Sequence, residues 1–216
     1  MPDNDLYMAC IDLKGKRCLV IGGGPIALEK IQGLLASKAT VSVVALEAID
    51  EIHDLAASDS IRFEEAPYRA DHLDGCFLVI AATSDTSVNT QVHADAEERS
   101  MLVNVADVPD LCNFILPAIV RRGPIAIAIS TRGASPALAK RIRREAAESF
   151  GAPYAELAGI LEELRPWAKE NLPTYQDRKR FFEDIVNGAP DPVDLLASGC
   201  SDEVRALIEQ KKSQQI

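Results

Sequence analysis

Two short stretches of this chain hold residues that could do chemistry. Gly22-Gly23-Gly24 comes after an apolar run, residues 18–21, and precedes a segment of helical character. A strand, a glycine turn and a helix start, in that order, make a phosphate cradle. The unpaired N–H groups and the positive end of the helix face whatever rests on the turn. Gly22-x-Gly24-x-x-Ala27 fits the dinucleotide fingerprint G-x-G-x-x-G/A. The first glycine makes the turn, the second lets a pyrophosphate come close, and the small third residue packs helix on strand. Asp107 is the second device. It ends Asn104-Val105-Ala106-Asp107, directly after a later apolar strand, where parallel sheets bind their ligands. A carboxylate there suits proton acceptance beside a hydride-accepting nicotinamide. The same residue also suits an Asx turn before Pro109.

The choice between dinucleotides rests on the residues just past the second apolar strand, 40–45. Glu47 stands there, where an acid hydrogen-bonds a ribose 2′-hydroxyl, and no Lys or Arg occurs between positions 41 and 61 to meet a 2′-phosphate. NAD is therefore expected over NADP. The other reading of Glu47 is an acid favoured by the dipole of the next helix. His53, His72 and His93 are far apart and sit in helical or polar stretches, so the spacing offers no metal-ligand cluster and no metal is expected.

Positioning these residues requires alternating strands and helices. Apolar or alternating runs at 18–21, 40–45, 61–65, 76–83 and 101–106 predict strands, with a short edge segment expected at 7–13. Helical spacing predicts helices at 26–37, 48–58 and 87–99, and a helical turn at 69–73. The nearly continuous apolar run 76–83 is of the kind buried on both faces of a parallel sheet. The fold class is therefore α/β, a Rossmann-type doubly wound parallel sheet.

The pattern changes near Asp107. Apolar strands are expected at 113–120 and 125–130, joined by Arg121-Arg122-Gly123-Pro124, a connection short enough for an antiparallel hairpin. Pro136 then starts a basic helix over 137–149. Beyond it lies no β signal. Helices are expected at 154–171 and 178–186, with short ones after Pro192 and Ser201. The expected organisation is a nucleotide domain over 1–112, a central hairpin-helix segment over 113–149 and a helical domain over 150–216.

Hydrophobic residues make up 47% of the 216, enough for a proper core. A net charge of −10 argues against nucleic acid or an anionic membrane as partner. Five scattered cysteines without a C-x-x-C pair suggest buried small hydrophobes in a reducing cytosol. The acidic residues 1–5 show no signal-peptide pattern, and no apolar run approaches the ~20 residues of a membrane span. One asymmetry stands out. Positions 111–144 hold no Asp or Glu, yet they hold Arg121, Arg122, Arg132, Lys140, Arg141, Arg143 and Arg144. Cations collected in an acidic protein suit an anionic ligand, the other reading being a solvated helix face. Thr131-Arg132-Gly133-Ala134-Ser135 favours the ligand, since it joins hydroxyls and a guanidinium to a helix start.

Taken together, Gly22-Gly23-Gly24, Ala81-Ala82-Thr83, Asn104-Val105-Ala106-Asp107, Cys112-Asn113-Phe114-Ile115-Leu116-Pro117 and the run from Ser130 through Ser135-Pro136-Ala137-Leu138-Ala139 resemble the precorrin-2 dehydrogenase family. That family also forms the N-terminal part of siroheme synthase. The resemblance implies oxidation of precorrin-2 to sirohydrochlorin with NAD by a cytoplasmic homodimer, whose central segment packs across the partner. It implies that Asp107 is the functional carboxylate. It places nucleotide contacts at Gly22, Gly23, Gly24, Pro25, Ile26, Leu46, Glu47 and Thr83, and substrate contacts at Asn113, Thr131, Arg132 and Ser135. Two alternatives accompany it: a bifunctional enzyme that also inserts Fe²⁺ into sirohydrochlorin, and a non-catalytic module that senses NAD.

Overall fold

A computed structural model describes residues 6–215; residues 1–5, whose acidic character bore on the signal-peptide expectation, and residue 216 lie outside the described residues. The chain divides into two compact units, Met1–Leu116 and Pro117–Ile216.

The first unit is built on five parallel strands: β1 (Arg17–Ile21), β2 (Thr40–Ala45), β3 (Arg62–Glu65), β4 (Leu78–Ala81) and β5 (Leu102–Val105). Their spatial order is β3-β2-β1-β4-β5. Pairing is in register along the sheet, with Val20 opposite both Val43 and Ile80. Three helices connect the strands: α1 (Pro25–Ala36), α2 (Asp50–Ala57) and α3 (Thr86–Glu98). Between β3 and β4 the crossover shrinks to a single 3₁₀ turn, Ala70–Leu73. The central strands are apolar on both sides because both faces are covered. Cys18, Val20, Val43 and Ile80 pack with Ala27 and Ile31 of α1 on one face. Leu19, Ile21, Val79 and Val103 pack with Val92 and Ala96 of α3 on the other. Ala27, the third fingerprint position, has no exposed surface, so helix meets strand there at close range.

Cys18 is 1% exposed, and burial pushes its thiol up to about 11 from an ordinary 9.0. Above pH 9 the unfolded chain gives up this proton while the folded chain keeps it, so stability falls as pH rises from about 9 to 11. We expect urea unfolding to reveal a loss of roughly 2–3 kcal/mol over that window, flattened in Cys18→Val.

The second unit opens with an antiparallel hairpin, β6 (Ala118–Arg122) and β7 (Ile125–Ile129), followed by α4 (Pro136–Ser149). Four further helices complete it: α5 (Ala152–Asn171), α6 (Tyr175–Val186), α7 (Pro192–Ala197) and α8 (Ser201–Ser213). Leu157, Ile160, Leu164 and Ala168 of α5 meet Phe181 and Ile185 of α6 and Val204 and Ile208 of α8 in one apolar core. By contrast, α4 buries none of its residues, leaving Leu138 and Ile142 in water along with its cations. No helix among the described residues is long and apolar enough to cross a membrane.

Four expectations need correction. Residues 7–13 form no strand; the chain turns where Lys14 N–H donates to the Asp12 carboxylate and Lys16 N–H to the Leu13 carbonyl, and residues 6–12 stay exposed. The first hairpin strand starts at Ala118 rather than at 113, because Asn113 and Phe114 give their polar groups to the β5 region instead. The hairpin loop is the two residues Gly123-Pro124, with Gly123 at φ 52, so both arginines belong to the strand. The helix after Ser201, expected to be short, runs 13 residues because Val204 and Ile208 anchor it in the core.

Candidate nucleotide cleft

A cleft of about 840 Å³ opens along the C-terminal ends of β1, β2, β4 and β5. Its floor is the glycine turn. Gly22 takes φ 124, and a side chain there would overlap the Ala82 carbonyl. Gly23 is just as crowded: a Cβ would collide with the Glu47 carbonyl, and the backbones are tied by Ile49 N–H donating to the Gly23 carbonyl at 2.9 Å. Gly24 differs. A Cβ built on it meets nothing within 4 Å, so its missing side chain leaves room for a ligand and not for the protein. Gly24 caps α1 and Pro25 takes its first position, where the absent N–H would be unpaired anyway. The free amides of the first turn then face the cleft, the arrangement that holds a phosphate.

On the β2 side, Leu46 and Glu47 line the wall, both exposed. Thr83 forms the wall after β4. Its hydroxyl accepts from Asp85 N–H at 3.1 Å, and its carbonyl accepts from Asn89 Nδ2 at 3.0 Å. Asp85 caps α3 by accepting from Ser87 and Val88 N–H groups. The Ser87 hydroxyl, then these two backbone donors, hold its carboxyl below the ordinary range. Tyr68 closes another side. Its hydroxyl donates to Asp95 at 2.9 Å, and burial together with that carboxylate pushes the phenol well above its ordinary value.

Asp107 lines the same cleft after β5, exposed and at φ 61, in the left-handed region that only a few non-glycine residue types accept. Among the described residues, neither its carboxylate nor that of Glu47 has a hydrogen-bond or ion-pair partner. The turn is clamped from below by Cys112. Its sulfur accepts from Val105 N–H at 3.1 Å and lies 3.3 Å from the carbonyl oxygens of both Val105 and Val108. Burial raises this thiol as well, keeping it protonated and able to donate to one of them. Cys112→Ala leaves the Val105 N–H without its partner, while the two carbonyls still accept from the Val108 and Leu111 N–H groups. We expect it to cost the domain about 1–2 kcal/mol in urea and to lower turnover more than it changes dinucleotide affinity.

Nine residues singled out from sequence thus meet in one cleft: Gly22, Gly23, Gly24, Pro25 and Ile26 on the floor, Leu46 and Glu47 to one side, Thr83 and Asp107 to the other. Of the remaining four, Asn113 lies in the same unit outside this lining, and Thr131, Arg132 and Ser135 belong to the second unit. Asn113 accepts from Val103 N–H at 2.8 Å and donates to the Met101 carbonyl and the Glu97 carboxylate at 2.7 and 2.8 Å. Its amide thereby serves the free edge of β5. Thr131 and Ser135 build the start of α4: the Thr131 hydroxyl donates to the Ser135 carbonyl at 3.1 Å, and Ser135 Oγ accepts from Leu138 N–H at 3.1 Å. Arg132 sits exposed between them at φ 54. Sequence reasoning missed Tyr68 and Asn89, which line the cleft, and Cys112, which braces it. A Tyr after a weak edge strand and an Asn inside a helix carry no motif.

Three family models match the chain. Residues 9–118 match the family described as "Putative NAD(P)-binding", residues 122–147 that of the sirohaem biosynthesis protein central region, and residues 153–211 that of the sirohaem synthase dimerisation region. Siroheme synthase of Pseudomonas fluorescens (strain SBW25) is 39% identical over 201 residues, covering 93% of this chain and 43% of the relative. That of Thioalkalivibrio sulfidiphilus is 38% identical over 207 residues, covering 95% and 42%. The chain thus spans less than half the length of these curated relatives. Among solved structures, "SirC, precorrin-2 dehydrogenase" superposes with a TM-score of 0.79 at 29% identity, over 95% of this chain and all of that one.

Proposed function

This chain belongs to the precorrin-2 dehydrogenase family that also forms the N-terminal part of siroheme synthase, and from that premise we propose that it oxidises precorrin-2 to sirohydrochlorin with NAD. The observation that carries the proposal is the single cleft holding a glycine turn with open space over Gly24, the acid Glu47 and the unpartnered carboxylate of Asp107. The residues fit the cofactor. Gly24 and the amides after Pro25 would hold the pyrophosphate, and Glu47 would take a ribose hydroxyl. That acid would repel a 2′-phosphate, so NAD is preferred to NADP. When bound, the nicotinamide supplies hydride acceptance at C4. The protein's own contribution is Asp107, which takes the proton released as the tetrapyrrole gives up its hydride, so two electrons and one hydrogen leave with the hydride and the second hydrogen leaves through the carboxylate.

Precorrin-2 is a polycarboxylate, and an acidic protein must offset its own field to receive it. In this reading Arg132 supplies a cation to a substrate carboxylate, Thr131 and Ser135 shape the turn that presents it, and Asn113 fixes the loop beyond Asp107. The match to a dimerisation region over residues 153–211, and the water-exposed α4, support a homodimer. We place it in the cytoplasm, and the net charge of −10 speaks against nucleic acid or an anionic membrane as partner.

Purified protein mixed with precorrin-2 and NAD should develop the absorbance of sirohydrochlorin together with that of NADH, and NADP should substitute poorly. No NAD-dependent change rejects the dehydrogenase. A sedimentation mass of one chain at micromolar concentration rejects the dimer.

A further inference from the structure

One residue of the cleft carries a buried polar atom without a partner, and the reaction above does not use it. Asn89, on α3, is 5% exposed and lines the cleft beside Thr83. Its backbone N–H donates to the Asp85 carbonyl at 3.0 Å, and its Nδ2 donates to the Thr83 carbonyl at 3.0 Å. Its Oδ1 has no partner, alone among buried side-chain nitrogens and oxygens of the described residues. Turning the amide over does not remove the problem, because an oxygen would then face the oxygen of Thr83. A buried carbonyl without a donor is costly, and native proteins supply one. Here the residue lines the cleft, so a ligand bound there is the donor at hand.

Strand order decides which part of a dinucleotide the atom meets. Along the sheet, Glu47 follows β2, the glycine turn follows β1, Thr83 follows β4 and Asp107 follows β5. With a ribose of the adenosine half at Glu47 and the pyrophosphate at Gly24, the opposite half of the molecule belongs on the β4 side. We infer that Asn89 Oδ1 accepts a hydrogen bond from the nicotinamide nucleoside half of the dinucleotide, and that Asn89 is a cofactor-positioning residue. The inference rests on the reading of this cleft as an NAD site. Two donors share that chemistry, the carboxamide N–H₂ and the ribose hydroxyls.

Calorimetric titration of the full chain separates them. The ligands are NAD⁺; 3-acetylpyridine adenine dinucleotide, in which a methyl replaces the amino group; ADP-ribose, which keeps the ribose hydroxyls; and ADP, which lacks the whole half. Asn89→Ala and the closer-shaped Asn89→Leu should bind NAD⁺ about tenfold more weakly while binding ADP as the parent does. If the carboxamide is the donor, the parent prefers NAD⁺ to the acetylpyridine analogue, the variants bind the two alike, and ADP-ribose is unaffected. If a ribose hydroxyl is the donor, all three ligands that carry the ribose lose the same factor. Unchanged NAD⁺ affinity overturns the inference and leaves the NAD site standing. An equal loss for ADP also overturns it, assigning Asn89 to the scaffold alone. A parent that binds neither NAD⁺ nor ADP removes the underlying reading, and the inference with it.

Discussion

On the proposed reaction, Asp107→Asn should turn precorrin-2 over about 10²–10⁴ times more slowly than the parent chain, the range that a lost proton acceptor leaves behind. Asparagine is the informative replacement. It keeps the size of the side chain and, like aspartate, tolerates the left-handed backbone found at φ 61, so the turn stays in place. What it lacks is the basic carboxylate. Affinity for NAD should change by less than about twofold, since no cofactor contact is assigned to this residue, and a fall in kcat without a matching rise in KM places the defect in the chemical step. Asp107→Ala should be as slow and also somewhat less stable, because alanine accepts a positive φ poorly. An Asp107→Asn protein with parental turnover would send the proton elsewhere and end the assignment.

The glycine turn gives the second large effect, as a contrast between neighbours. Gly22→Ala should lower the stability of the nucleotide domain on the order of 3 kcal/mol or more. The new methyl meets the Ala82 carbonyl, and φ 124 is a conformation L-residues rarely adopt. Gly24→Ala should leave thermal unfolding nearly unchanged, because φ −93 suits any residue and the methyl has open space around it. On the proposed reading that space receives the pyrophosphate. Affinity for NAD should then fall about 10–100-fold, the equivalent of one lost charge-assisted hydrogen bond. Thermal unfolding with and without NAD reads both effects, and a Gly24→Ala chain that bound NAD like its parent would move the phosphate off the turn.

Much of this is legible in the sequence. Glycine spacing, apolar runs and the acid after the second strand depend on local chemistry, so they locate the cleft floor, the sheet and Asp107. Longer-range facts are less legible. Residues 7–13 have strand-like composition, but nothing in composition says that β3 and β5 already close the sheet at both edges. The Asn113 side chain satisfies that edge in place of a further strand, and a side chain standing in for backbone has no sequence signature. Cys112 and Asn89 are hidden for a similar reason, since each acts through atoms that only the folded turn brings within 3–4 Å.

The positive φ of Asp107 sets two demands on one position at odds. A glycine would sit in that bend with the least tension, yet it would remove the proposed base, so on this reading the most heat-tolerant form of the domain would be a silent one. Screens that select this chain for thermal robustness alone should therefore drift toward Asp107→Gly and discard the reaction on the way.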